Sequence, residues 1–130
     1  MKNALICLAL CLVSTTSVAG EVNIKYAIFT KHGQQWDIAV TLEHADSGWD
    51  HYADAWRVVD ERGELIALHN LLHPHEDEQP FTRVAKDVFI APGQNIVYVE
   101  AHDKIHAWST QRLRVDLRHA VGPGYNVVRH

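Results

Sequence analysis

Apolar and polar residues alternate with a period of two over short stretches of this chain, and turn signals separate the stretches. That pattern predicts an all-β sandwich or barrel. The clearest stretch is Trp36, Ile38, Val40 and Leu42, interleaved with Asp37, Ala39, Thr41 and Glu43. It reads as a strand with one face in the core. Further runs cover Val22–Phe29, Ala53–Asp60, Glu64–His69, Lys86–Ile90, Asn95–Ala101 and Gln111–Leu117. Asp60-Glu61-Arg62-Gly63 joins the third and fourth runs as a hairpin turn. In Ala91-Pro92-Gly93-Gln94, proline pre-sets φ and glycine accepts a positive one. No segment after residue 20 has a convincing helical period.

Seven strands, with Trp36 and Trp56 as aromatic anchors, resemble the pattern of an immunoglobulin- or fibronectin-III-like antiparallel sandwich. The Cys-Trp-Cys signature of antibody domains is absent. The domain is expected over residues 20–118, and 119–130, with Gly122-Pro123-Gly124, as a loose or edge-lying tail.

The first residues change the picture of where the protein works. Lys2, the apolar Ala4–Val13 and the small residues Ser17-Val18-Ala19 have the form of a signal peptide, with a cut between Ala19 and Gly20. The apolar run is shorter than the ~20 residues that a membrane-spanning helix needs. Cys7 and Cys11 both lie in this segment, so the processed chain has no disulfide. Leu10 stands before Cys11, where a lipoprotein signal wants a small residue. A periplasmic protein is expected, a secreted one as the alternative, with no stable membrane anchor after cleavage. The formal net charge of −4 and the lack of a basic run exclude the electrostatic footprint of a nucleic-acid binder.

Successive antiparallel strands reverse direction, so connections alternate between the two ends of a sandwich. The links between strands two and three, four and five, and six and seven share one end. They carry His44, Asp46, Trp49, His51 and Tyr52, then His73 to Phe81, then His102, Asp103, His106 and Trp108. The other end holds ordinary turn residues. Candidate chemistry is thus polarised, and it lies on the longer loops.

Of ten histidines, His73-Pro74-His75 and His102-x-x-x-His106 form tight pairs, and His69 leads into the first. Imidazole coordinates zinc and copper as the neutral base. Histidines i, i+2 in an extended segment point to opposite sides, so the first pair chelates only if its loop curls. We take His73, His75, His102 and His106 as candidate metal ligands, with His69 and His51 in reserve. His44 and His51 bracket one loop, and either can add a ligand. Asp103 and Glu78 are candidates to orient an imidazole through its second N–H. Without cysteine or methionine after residue 20, Zn(II) or Cu(II) fits better than Cu(I). His32, His119 and His130 read as surface residues.

Other chemistry finds little support. Ser109 lies near His106 and Asp103 but has no nucleophile elbow beside it, and no glycine-rich phosphate loop occurs. Trp49, Tyr52, Phe81 and Trp108 ring the same end. They are either a lid over the histidines or a platform for a periplasmic protein or a glycan. In that alternative the chain is an interaction module and the histidines form a structural hydrogen-bond network.

The stretches 73–83, Trp56-Arg57-Val58-Val59-Asp60 with Gly63, and Val99 to His106 together resemble a family of small exported bacterial proteins with an HPH-x3-QPFTR loop and an AHD-x2-H loop. The resemblance spans roughly residues 49–117. It implies a β-sandwich and export, and it transfers no catalytic residue. Ala107 departs from the glycine expected after the second histidine.

Overall fold

The computed structural model describes residues 20–130; the proposed signal peptide, 1–19, lies outside the described residues. Among the described residues, ten strands form two sheets. They are β1 (Asn23–His32), β2 (Gln35–Glu43), β3 (Ala53–Val59), β4 (Leu65–Asn70), β5 (Phe81–Phe89), β6 (Ile96–Asp103), β7 (Ala107–Trp108), β8 (Leu113–Asp116), β9 (Val121–Gly122) and β10 (Tyr125–Arg129). One sheet runs β5-β2-β1-β10-β9. In the other, β4-β3-β6 continues to β7, and β8 pairs along the first half of β6.

The expected all-β architecture stands, but the strand count and the pairing are corrected. The seven runs correspond to β1 to β6 and β8; β7, β9 and β10 are additional. β10 pairs with β1 in parallel, so the sandwich is not purely antiparallel. The expected tail is therefore part of the sheet. Tyr125 and Val127 alternate into the core, each 5 % exposed. Gly122 makes room for the Tyr125 ring, since a Cβ there would overlap it. β5 also starts earlier than expected. Phe81 is buried and pairs with Leu42, which draws Phe81-Thr82-Arg83 out of the loop and into the strand.

Strand alternation builds the core. Trp36, Ile38, Val40 and Leu42 face inward from β2, and Val97, Val99 and Ala101 face them from β6, with Trp56 and Val58 of β3 beside. Fully burying one such aliphatic or aromatic side chain contributes about 1.5–3 kcal/mol. The same parity sets up the site. One step past Leu42, the inward row of β2 reaches His44; one step past Ala101, the inward row of β6 ends on Asp103. His102, on the opposite parity, faces outward.

The three connections expected at one end do meet there. The His75 N–H donates to Asp46 at 2.7 Å, and the Gln79 side chain accepts from the His44 N–H at 2.9 Å. The Lys104 N–H donates to the Tyr52 carbonyl at 3.2 Å.

Candidate metal centre

His44 and Asp46 form the deepest layer, with side chains 1 % and 0 % exposed. His44 Nδ1 is 2.6 Å from Asp46 Oδ1, and His44 Nε2 is 2.8 Å from the Gly20 carbonyl. A carbonyl only accepts, so Nε2 carries a proton. Asp46 also accepts the Ala53 N–H at 3.0 Å. One carboxylate thus holds an imidazole and ties two loops together. This is how proteins commonly orient a metal-binding histidine.

The second layer is Asp103, His51 and His106. Asp103 Oδ1 accepts the N–H groups of Ile105 (2.9 Å) and His106 (2.8 Å), with His106 Nδ1 at 3.0 Å. Burial pushes the Asp103 carboxyl up, but the His106 and Ile105 N–H groups and the His106 ring outweigh it. The group is held below the usual carboxylate range and stays an anion. Its Oδ2 is buried and has no hydrogen-bond partner. His51 Nε2 is likewise buried and unpartnered; it lies 3.2 Å from Asp103 Oδ1 but outside hydrogen-bond geometry. The His51 ring stands edge-on to His44, with centroids 4.7 Å apart, and 5.2 Å from that of His106.

Among the described residues, His44, His51 and Asp103 bring one ligand atom each to within 4.8 Å of one another. This His-His-Asp cluster can hold a metal ion. The chain is similar to a protein of Halomicrobium mukohataei named "Putative lipoprotein". The two are 37% identical over 84 residues, which is 65% of this chain and 41% of that protein. The chain thus spans about two-fifths of that relative's length. No family model matches the chain. No solved structure matches it either.

The structure sorts the residues picked from the sequence. His51 belongs to the cluster, and His106 borders it. Asp103, expected to orient a ligand, is itself a candidate ligand. His75 is buried, but its Nε2 accepts from Arg83 Nη2 at 2.8 Å, so that lone pair is taken. Burial and then the Arg83 charge push the His75 imidazole below its usual range. His73 is exposed, and its ring lies tilted against that of His75 with centroids 4.5 Å apart. His102 is bonded to Asp54 on the outer face of its sheet and packs edge-on to Trp108. His69 lies on the Trp56 ring, with centroids 5.2 Å apart. Glu78 is exposed, 4.0 Å from Arg83. The two histidine pairs therefore do not converge on one ion. His44 carries more of the site than its isolated place in the sequence suggested. The signal that finds it is strand parity: His44 and Asp103 each extend an apolar inward row.

Ala107, where the resemblance expects glycine, has φ 62°. The loop thus adopts the left-handed conformation that glycine accepts without strain.

Proposed function

We propose that this protein is an exported β-sandwich that holds one divalent transition-metal ion, Zn(II) or Cu(II), at His44, His51 and Asp103. It would serve as a carrier, buffer or accessory protein in the periplasm, or outside the cell if secreted. The observation that carries this reading is the pair of orphaned buried atoms, His51 Nε2 and Asp103 Oδ2, beside an imidazole that a carboxylate already orients. Leaving such groups unpaired costs about 1–3 kcal/mol each, and an ion between them would recover that cost. Tetrahedral zinc with bonds of about 2.0–2.1 Å spaces its donors about 3.3 Å apart. His51 Nε2 and Asp103 Oδ1 are already 3.2 Å apart, so the remaining separations close by at most about 1.5 Å on binding. The name of the Halomicrobium relative supports an envelope or exported location.

Calorimetric titration of the processed chain with Zn(II) and Cu(II) tests the reading. One-to-one submicromolar binding is expected. His51→Ala and Asp103→Asn lose it, whereas His73→Ala and His102→Ala keep it. Binding retained by both cluster variants, or absent from the wild type, overturns the reading.

A second reading rests on a specific observation: both nitrogens of His44 are already satisfied within the protein. In it, the His–Asp network is structural and the same end is a docking platform. Trp49, 67% exposed, would be its anchor. It borders a concavity of about 450 Å³ shared with His73 to Glu78. A chain that binds no metal, yet loses a protein or glycan partner on Trp49→Ala, follows this reading.

A further inference from the structure

Gly20 lies against the cluster in a way that its lack of a side chain permits. Its φ is 91°, and a Cβ built on it would stand 2.7 Å from His106 Cε1 and 3.2 Å from His106 Nε2. Its carbonyl oxygen accepts the hydrogen bond from His44 Nε2–H. It is also the residue that signal-peptidase cleavage after Ala19 would make the first of the processed chain. We propose that this cleavage completes the metal site, the new α-amino nitrogen of Gly20 becoming a fourth donor beside His44, His51 and Asp103. The inference rests on the metal-binding reading above.

In the precursor, the Gly20 nitrogen is an amide whose lone pair is delocalised into the peptide bond, and it is no ligand. Cleavage turns it into a primary amine with a pKa of about 7.7–8.0. Near neutral pH the ion displaces two protons, that of the ammonium form and that on His44 Nε2, while His44 Nδ1 stays hydrogen-bonded to Asp46; both protons pass to solvent, so charge and protons balance. The nitrogen lies beside His106, on the border of the cluster. By covalent geometry it lies about 2.5 Å from its own ideal Cβ position, which is 2.7 Å from His106 Cε1. It is therefore at most about 5 Å from that ring atom. The amine and carbonyl of one residue also close a five-membered chelate ring around an ion. An ion inserted between His44 Nε2 and the Gly20 oxygen, now 2.8 Å apart, would meet both, with the amine next to it. Three side chains and the α-amino group then supply the four donors of a closed site, with the Gly20 carbonyl as a fifth contact. The precursor would lack the fourth donor, so loading would be confined to the compartment where the leader is removed.

The test compares two forms of the full mature sequence. One is exported, processed in the cell and recovered from the envelope fraction, with its first residue read by intact mass. The other carries Ala-Ser ahead of Gly20, which moves the free amine away and leaves Gly20 as an amide. Both are titrated with Zn(II) and Cu(II), alone and with His51→Ala, and their melting temperatures without metal are compared. Submicromolar binding by the Gly20-terminated chain is expected, with affinity at least tenfold weaker in the extended chain and equal melting temperatures. Equal affinity in the two forms, both abolished by His51→Ala, overturns the inference and leaves the metal site standing. So does a first residue other than Gly20. Absence of binding in both forms, or binding that His51→Ala leaves intact, overturns the metal reading and the inference with it.

Discussion

Replacing Asp46 with alanine is the sharpest test of how this end of the sandwich is built. Its carboxylate is fully buried and accepts three donors: the Ala53 N–H at 3.0 Å, the His75 N–H at 2.7 Å and His44 Nδ1 at 2.6 Å. Two of these belong to different loops, so one side chain pins the β2–β3 connection to the β4–β5 connection. A buried donor left without a partner costs about 1–3 kcal/mol. The two backbone groups alone thus come to about 2–6 kcal/mol. The vacated space can admit a water that re-satisfies one of them, which moves the expectation to the lower half, about 3 kcal/mol. Against a total stability of about 5–15 kcal/mol for a domain, that is a large loss. Asp46→Asn keeps an acceptor and the shape but turns an NH2 towards one of the donors, so about 2 kcal/mol is expected.

Urea unfolding followed by tryptophan fluorescence reads the effect as a shift of midpoint at constant slope. Asp60→Ala is the control. Asp60 also accepts two backbone N–H groups, from Arg62 (2.8 Å) and Glu64 (2.9 Å), but in an exposed turn where water replaces it. A smaller loss is expected there. Amide exchange at Ala53 and His75 should also speed up selectively in Asp46→Ala. The reasoning is refuted if Asp46→Ala loses less than about 1 kcal/mol, or no more than Asp60→Ala does.

Three further outcomes are expected. Ala107→Gly should raise stability by about 0.5–1 kcal/mol, because an alanine at φ 62° carries left-handed strain that glycine does not; an unchanged or lower urea midpoint would show that the loop is not strained there. Burial, and then the Arg83 charge, hold the His69 imidazole below its usual pKa of 6.5. The unfolded chain therefore takes up a proton that the fold resists, and the stability present above about pH 6.5 is lost as pH falls towards the folded value. His69→Gln should flatten that decline between about pH 7 and 5, and an identical slope in unfolding curves would count against it. Tyr125→Ala should cost about 3–5 kcal/mol, as for a large buried aromatic, whereas a thermal midpoint equal to wild type would mean that β10 is the loose tail the sequence suggested.

The periodicity of β2 was readable because its alternation is long and strict, and the inward row found in the structure is the row of Trp36, Ile38, Val40 and Leu42. The end at which the loops gather was readable for a similar reason, since it needs only the number of reversals before residue 70. β9 and β10 were not. Val121–Gly122 is too short to show a period, and Tyr125–Arg129 follows Gly-Pro-Gly, which reads as a chain end. Nothing local states that the last strand returns to lie parallel to the first, because that pairing joins residues nearly the whole chain apart.

The candidate ligands show the more instructive difference. Spacing drew attention to His73/His75 and His102/His106, because paired histidines look like chelates. On a sheet, however, what a side chain meets is decided by parity before proximity. His102 and Asp103 are neighbours in sequence, yet one is bonded to Asp54 on the outer face and the other closes the core row of β6. Likewise His44 stands alone in the sequence, but it takes the inward place after Leu42, where water is excluded and an unpaired nitrogen is costly. Histidines that had looked like ligands found other partners: Arg83 for His75, Asp54 for His102, the Trp56 ring for His69. Among the described residues, the polar atoms still without a partner at the loop end are His75 Nδ1, His51 Nε2 and Asp103 Oδ2, and the last two belong to side chains that meet where the inward row of β6 ends. A binding site in a sandwich of this kind is best sought where an apolar row runs out into a polar residue, and then by asking which of its atoms the protein itself leaves unsatisfied.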